Sequence, residues 1–113
     1  MFSPVEYLHH ILDEIDFLLD KSNKITKEDL LIDPVLQRAF TRSLEIIGEA
    51  VKKLPQSWRD IHNQIDWRSI AGMRDKLIHG YFSVDYILVW DVIINELPVL
   101  KPLLEELIKQ ENE

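Results

Sequence analysis

The chain has 113 residues, no cysteine, and 20 acidic against 13 basic side chains, so its formal net charge at pH 7 is −7. The lack of cysteine excludes disulfides, zinc–thiolate sites and thiol nucleophiles, and the acidic balance argues against a protein that coats nucleic acid non-specifically. Hydrophobic residues make up 46% of the sequence, which is enough for a buried core and excludes wholesale disorder.

The first half of the chain predicts two long helices. A capping box at residues 3–6, with proline in the first helical position, begins the first helix. Its apolar residues recur at intervals of three and four, and it should end near residues 21–23. Thr26 can cap a short turn after this helix. Asp33, followed by Pro34, then begins the second long helix, and Pro55 stops it.

The second half predicts two further helices after a helical turn around Trp58. Asp66 can cap the third helix, and Gly80 is placed to end it. The fourth helix begins near residues 83–86, and the two prolines close to its end should break or kink it before a last amphipathic segment. Because no strand alternation is present, the sequence predicts an all-α, up-down bundle of four to five helices.

Two features predict that this bundle forms a homodimer. The fourth helix is apolar nearly all round between residues 84 and 97, and such a helix must be buried on more than one side. Ala71 and Gly72 lie in the middle of the third helix, where glycine costs about 1 kcal/mol relative to alanine. Close approach of another helix would explain that cost.

Signals that direct a protein to a membrane are missing from the sequence. The longest uninterrupted apolar run, Tyr86–Trp90, is far shorter than the roughly 18 residues of a membrane helix. Residues 1–4 lack the basic-then-apolar pattern of a secretory signal. We therefore expect a cytoplasmic protein without a membrane partner.

The common metal and phosphate motifs are also missing. Di-metal carboxylate bundles need Glu-x-x-His on two helices, and Glu6 to His9 is the only such spacing in the sequence, so chance explains it better. His10 and His62 have no second ligand at a useful spacing and are expected to be surface residues. With 3 glycines in the chain a glycine-rich phosphate loop is not possible. We expect neither a metal ion nor a bound cofactor.

One basic part of the chain carries side chains suited to phosphate chemistry. Residues 52–76 hold six basic and three acidic groups, and Arg74, His79 and Tyr81 lie close together at the end of this part. An arginine can clamp a phosphate with two donors and stabilise developing charge, and a histidine can move a proton near neutral pH. Together they suffice for metal-free RNA cleavage, in which a ribose 2′-hydroxyl attacks the adjacent phosphorus.

The spacing of Arg74 and His79 leaves their geometry open. Five residues correspond to about 140° around an α-helix, so the two side chains do not share a face of one ideal helix. They can converge if the helix ends at His79, or if two copies of the helix meet across a two-fold axis. The alternative is an ordinary helix end, in which His79 caps carbonyls, Gly80 turns the chain and Arg74 pairs with a carboxylate.

The motif Arg74-x-x-x-x-His79-x-Tyr81 resembles the signature of the HepT toxins, a branch of the HEPN superfamily. The length, the helix order and the sequence around the motif are similar to that family as well, so the resemblance covers nearly the whole chain. It implies a single HEPN/HepT-like domain over residues 1–113. The similar segments are residues 44–50, residues 67–82, Asp85 and Trp90.

This resemblance implies a dimer with two Arg/His pairs lining a cleft at the interface. Arg74 and His79 would be the catalytic residues of a ribonuclease toxin from a type VII toxin–antitoxin system. The antitoxin would be a minimal nucleotidyltransferase that transfers AMP from ATP onto Tyr81 and so silences the toxin. ATP is then used by the partner, and not by this chain.

Further residues are expected to support the site. Asp75 matches the polar residue that often follows the motif arginine, and it either orients Arg74 or is an exposed helix charge. Since the surface is acidic, the RNA, with tRNA as a candidate, would be held in a narrow cleft helped by basic side chains. The basic residues expected there are Arg68, Lys76 and Lys53.

Two other functions remain compatible with the sequence. The first is a non-catalytic helical dimer that binds a nucleotide or presents Tyr81 to a nucleotidyltransferase. The second is a helical dimer with a purely structural role. A small nucleotidyltransferase encoded in the neighbouring reading frame would argue against the purely structural role. Loss of growth inhibition when His79 is replaced by alanine would favour the enzyme over the non-catalytic dimer.

Overall fold

The structure is a computed structural model that describes residues 2–80 and 83–112, and these ranges are helical apart from short connections. The all-α prediction is confirmed, whereas the homodimer stays a prediction. None of the helices in the described ranges is both long and apolar enough to cross a membrane. The helices are α1 (Pro4–Ser22), α2 (Lys27–Ile32), α3 (Pro34–Lys53), α4 (Gln56–Ile61), α5 (Trp67–Leu77), α6 (Tyr86–Asp91) and α7 (Leu97–Glu111).

The predicted caps set the starts of most helices. A side-chain oxygen just before each helix accepts a hydrogen bond from a backbone N–H that has no partner inside the first turn. The fourth predicted helix begins at Tyr86, with Asp85 as its cap. The bonds to these caps are Glu6 N–H to Ser3 Oγ (3.3 Å), Asp29 N–H to Thr26 Oγ1 (3.1 Å), Val35 N–H to Asp33 Oδ1 (2.9 Å), Ser69 N–H to Asp66 Oδ1 (3.1 Å) and Leu88 N–H to Asp85 Oδ1 (3.1 Å).

The core lies between α1 and α3, which pack along each other, with α5 on α3 and α7 on α1. The apolar stripes of the sequence face this core, since a stripe repeating every three to four residues occupies one side of a helix. A partly buried hydrogen bond joins the two central helices, from Ser43 Oγ to Glu14 Oε1 (2.8 Å). The fully buried side chains of α1 and α3 are Leu8, Ile11, Ile15, Leu18, Phe40, Leu44, Ile47 and Val51.

Of the break or kink predicted at Pro98 and Pro102, the break does not occur. A π-helical turn, Val92–Glu96, joins α6 directly to α7, and Leu97 N–H reaches the carbonyl of Val92. Proline has no N–H, and its ring collides with the carbonyl four residues earlier in an α-helix. The wider π turn just before Pro98 gives that ring room, and α7 continues through Pro102 to Glu111.

The small residues of α5 behave differently from one another. A Cβ added to Gly48 of α3 would lie 3.7 Å from the carbonyl oxygen of Ala71 and 3.9 Å from Cβ of Arg74, so α3 and α5 approach closely there. Gly72 faces outwards, and a Cβ on it would have no described atom within 4 Å. Within one protomer, the predicted close approach therefore holds for Ala71 and not for Gly72.

Candidate active site

Arg74 lies in the last turn of α5, where α5 packs against Gly48 of α3. Its side chain is 41% exposed, and its Nη1 lies 3.5 Å from Oδ1 of Asp75, whose side chain is 73% exposed. Ion pairs this exposed contribute little stability because water competes for both partners. The guanidinium is thus anchored at its base by helix packing while its donors stay accessible to a phosphate.

His79 lies two residues beyond the end of α5, in a short turn that the backbone closes. Ile78 and Val84 form an isolated antiparallel bridge. The N–H of His79 donates to the carbonyl of Ser83 (2.6 Å), and the N–H of Asp85 donates to the carbonyl of Leu77 (2.9 Å). His79 is exposed, so its main chain is fixed while its imidazole faces solvent.

This turn corrects two sequence-based expectations. Gly80 does not end the helix: α5 stops at Leu77, Ile78 is extended, and Gly80 has φ of +84° inside the turn. Because the helix ends before His79, the 140° separation of an ideal helix does not govern how Arg74 and His79 are oriented. Two parts of the ordinary-helix-end alternative are present, since Gly80 turns the chain with φ of +84° and Arg74 pairs with Asp75. Its third part is not seen in the described ranges, where the N–H of Ile78 donates to the carbonyl of Arg74 and the imidazole of His79 donates to no helix carbonyl. Tyr81, the predicted site of modification, lies outside the described residues.

The predicted supporting residues lie on different surfaces. Lys76 faces an apolar cleft of about 390 Å³ between α5, the π turn and the start of α7. Arg68, in the first turn of α5, lines a polar cleft of about 880 Å³ beside α4. Lys53 borders a third groove, of about 300 Å³, between α1 and α3. Only Asp75 directly contacts Arg74, so one continuous cluster does not form in the described part of a single protomer.

Comparison with known proteins identifies the family. Residues 11–107 match the family model described as ribonuclease HepT-like. This chain belongs to the HepT-like family. No solved structure matches it significantly.

HepT-like relatives of similar length occur in bacteria and archaea. A candidate RNase of Caldanaerobacter subterraneus subsp. tengcongensis is 51% identical over 98% of this chain and 99% of its own. The ribonuclease HepT candidate of Thermococcus cleftensis is 42% identical over 92% of this chain and 94% of its own. A candidate RNase of Methanocaldococcus jannaschii is 42% identical over 91% of this chain and 85% of its own. The predicted HepT-like identity is therefore confirmed.

Two polar residues of this HepT-like chain were missed or misread at the sequence level. Arg59, on α4, faces the same polar cleft as Arg68, and nothing in its spacing signals that position. His62 is not the expected surface residue. Its Nε2 lies 3.1 Å from Oε1 of Glu111, with 17% of the side chain exposed, and its ring packs on Trp58 at a centroid distance of 4.2 Å. The described residues contain no group of three or more His, Asp or Glu side chains placed to hold a metal ion.

Proposed function

We propose that this protein is a ribonuclease toxin that cleaves RNA without a metal ion, with Arg74 and His79 as its catalytic residues. The observation that supports this is the end of α5, where an accessible guanidinium precedes an exposed imidazole on a backbone-closed turn. Membership of the HepT-like family supports the same reaction class.

The reaction needs one proton acceptor, one proton donor and a stabiliser of negative charge. His79 takes the proton from a ribose 2′-hydroxyl, whose oxygen forms a bond to the adjacent phosphorus. The bond from phosphorus to the 5′-oxygen breaks, and that oxygen receives a proton, which leaves a 2′,3′-cyclic phosphate and a 5′-hydroxyl. Arg74 donates to the non-bridging oxygens as charge develops on them. A second His79, from a partner protomer, can supply the leaving-group proton.

A homodimer provides that second histidine. The continuous helix from α6 to α7 leaves apolar side chains in contact with water, and Val99 and Leu103 border the apolar cleft against α5. Such a surface stabilises association when a second copy covers it. The exposed members, with their exposed fractions, are Ile87 (58%), Ile94 (42%), Val99 (65%) and Leu103 (39%).

Regulation follows from the position of Tyr81 in the sequence. We propose that a minimal nucleotidyltransferase antitoxin transfers AMP from ATP onto the Tyr81 hydroxyl, with pyrophosphate as the leaving group. The added phosphate and adenine, two residues from His79, would occupy the RNA site and compete for Arg74. The unmodified chain is then the active form.

Cleavage of an end-labelled RNA by His79→Ala protein tests the catalytic assignment. We expect a loss of about 10²-fold or more in the rate, as for other general acid–base residues, and unchanged cleavage by wild-type protein in EDTA. His9→Ala is the matched control, since His9 is an exposed histidine of α1. Full activity of His79→Ala protein would assign the chemistry elsewhere. RNA binding by the wild type without any cleavage would favour the non-catalytic dimer.

Intact mass of protein co-expressed with the neighbouring nucleotidyltransferase tests the regulation. One or more AMP additions should be present in the wild type and absent in Tyr81→Phe protein. Tyr86→Phe is the control, because Tyr86 is a half-buried tyrosine at the start of α6. Additions that persist in Tyr81→Phe protein would move the modification to another residue.

A further inference from the structure

The polar cleft beside α4 contains two arginines without carboxylate partners. In residues 2–80 and 83–112, neither Arg59 nor Arg68 belongs to an ion pair, although the molecule carries a net charge of −7. Nε of Arg59 is buried and has no hydrogen-bond acceptor in the same ranges. Buried donors without an acceptor are rare in folded proteins. Both guanidinium groups therefore border the cleft with no carboxylate partner in these ranges.

The acidic residues of the cleft are already engaged. Oδ1 of Asp60 accepts a hydrogen bond from Nε2 of Gln56 (2.8 Å). Oδ1 of Asp66 accepts from the N–H of Ser69 (3.1 Å) as the cap of α5. Both carboxylates thus serve local structure, and neither neutralises an arginine. The formal charges still sum to zero here, so an anion would be held by directed donors more than by net charge.

The cleft lies beside the first half of α5, and Arg74 lies one turn beyond its last lining residue, Ala71. Residues 68, 71 and 74 follow each other at intervals of three, which places them as neighbours on the helix surface. Ala71, the middle member, lines the cleft. Arg68 and Arg74 are separated by about 9 Å along the helix axis and by about 120° around it, given a rise of 1.5 Å and a rotation of about 100° per residue. The axial part alone corresponds to about two to three nucleotides of a stacked strand, so the two side chains would contact phosphates at least that far apart.

We propose that this cleft is a phosphate subsite of the RNA substrate, in which Arg59 and Arg68 bind phosphodiester groups at least two nucleotides from the scissile one. The inference rests on the proposed ribonuclease function. Arginine suits this role because its planar fork donates two parallel hydrogen bonds to phosphate oxygens. Lys76 takes no part, since it faces the apolar cleft on another side of α5.

RNA binding in the His79→Ala background separates this subsite from catalysis. Fluorescence anisotropy of a labelled single-stranded RNA should give a dissociation constant about 5- to 10-fold higher for Arg68→Gln than for the parent protein. A tenfold increase corresponds to a loss of about 1.4 kcal/mol in binding free energy. The slope of log affinity against log salt should fall by about 0.7 for each lost phosphate contact. Arg68 is exposed, so this variant should fold.

Two matched variants sharpen the result. Arg42→Gln makes the same change at an arginine of α3 that already pairs with Glu49 at 3.6 Å, and it should bind RNA like the parent. Asp60→Asn removes a negative charge from the cleft while keeping an oxygen for Gln56, and it should bind RNA more tightly. Equal affinities for Arg68→Gln and Arg42→Gln would overturn the subsite.

Substrate length distinguishes failure of the subsite from failure of the proposed function. With an active His79, Arg68→Gln should raise KM for a longer RNA by a larger factor than KM for a dinucleotide, because one phosphate cannot span both sites. No cleavage of either substrate by the wild type would refute the ribonuclease and leave the binding result intact. Displacement of the long RNA by equimolar AMP would indicate a mononucleotide site and refute the RNA subsite.

Discussion

Gly80 is the one described residue whose backbone needs a positive φ, at +84°. A side chain in this region brings Cβ close to the following carbonyl oxygen, at a cost of about 1–2 kcal/mol. We therefore expect Gly80→Ala to lower the free energy of unfolding by about that amount, as measured by urea denaturation. Since the turn carries His79, RNA cleavage by this variant should fall as well.

Gly72→Ala is the internal comparison and should have the opposite effect. This glycine lies in the middle of α5 with open space around it, and alanine there gains about 1 kcal/mol of helix propensity. A variant of higher stability would agree with a solvent-facing position. Loss of stability, or conversion of a dimer to a monomer, would instead show that a second copy packs against Gly72.

At the residue level, the sequence is enough to propose a chemical role for a side chain, but it does not show which residues surround that side chain. Arg74 and His79 could be singled out because their side-chain types and spacing already indicate phosphate chemistry. Arg59 could not be singled out from the sequence, since its position beside Arg68 depends on how the short helix α4 packs next to α5. The partner of His62 is Glu111, which is far away in the sequence, and no local pattern predicts such a contact.

Asp33 caps α3, the helix that contacts both α1 and α5. Its Oδ1 accepts hydrogen bonds from the N–H groups of Val35 (2.9 Å) and Leu36 (3.4 Å). We expect Asp33→Ala to lower the free energy of unfolding by about 1 kcal/mol, the typical cost of losing a cap. Asp33→Asn retains an oxygen at the same place and should keep most of the stability. Equal losses in both variants would mean that charge, and not the cap, is what matters.

Lys101 and Asp16 join α7 to α1 through a contact of 2.8 Å. The hydrogen bond and the charge of Asp16 raise the pKa of Lys101 above its ordinary value of 10.5. A pKa raised by folding adds stability at pH values below 10.5, and this contribution is lost as the pH rises through the folded-state value.

Urea denaturation at a series of alkaline pH values should therefore show a steeper loss of stability for the wild type than for Asp16→Asn. All other side chains are the same in both proteins, so the difference between the two curves isolates this pair. Parallel curves would mean that the pair adds nothing, as many solvent-exposed ion pairs do.

Helix starts were predictable from sequence because caps act within three residues of themselves. The backbone conformation around Pro98 was not predictable, since a break, a kink and a π turn all avoid the collision between the proline ring and the carbonyl four residues earlier. Packing of α7 against α1 favours the outcome that keeps the helix continuous. The end of α5 was predicted three residues late because the bridge between Ile78 and Val84 competes with the helix for the same backbone groups.

At the scale of the whole molecule, the dimer proposal depends on the exposed apolar side chains of α7 and the segment before it. Val99→Asp should convert a dimer to a monomer in analytical ultracentrifugation without loss of helical content, since 65% of Val99 is already in contact with water. Ile61→Asp is the control, because Ile61 is 74% exposed on α4. A Val99→Asp protein that stays dimeric would place the interface on another surface.

Charge is distributed unevenly along the sequence. Residues 52–76 carry a net +3, while residues 1–33 and 77–113 each carry −5. Basic side chains of this segment line three different clefts, so they do not form one basic surface. Affinity for RNA should therefore depend strongly on which individual side chains contact phosphate, because phosphate contacts dominate non-specific affinity.

Two backbone hydrogen bonds, donated by the N–H groups of His79 and Asp85, close the turn that carries His79. Its shape is therefore largely independent of the side chain at position 79, so replacement of the imidazole should leave amide hydrogen exchange at His79 and Asp85 slow. The imidazole itself has only two rotatable bonds, and little conformational entropy remains to be lost when a ligand orders it. Other side chains should therefore be accepted at position 79 without a change in the fold of the turn. This makes position 79 suitable for introducing other functional groups.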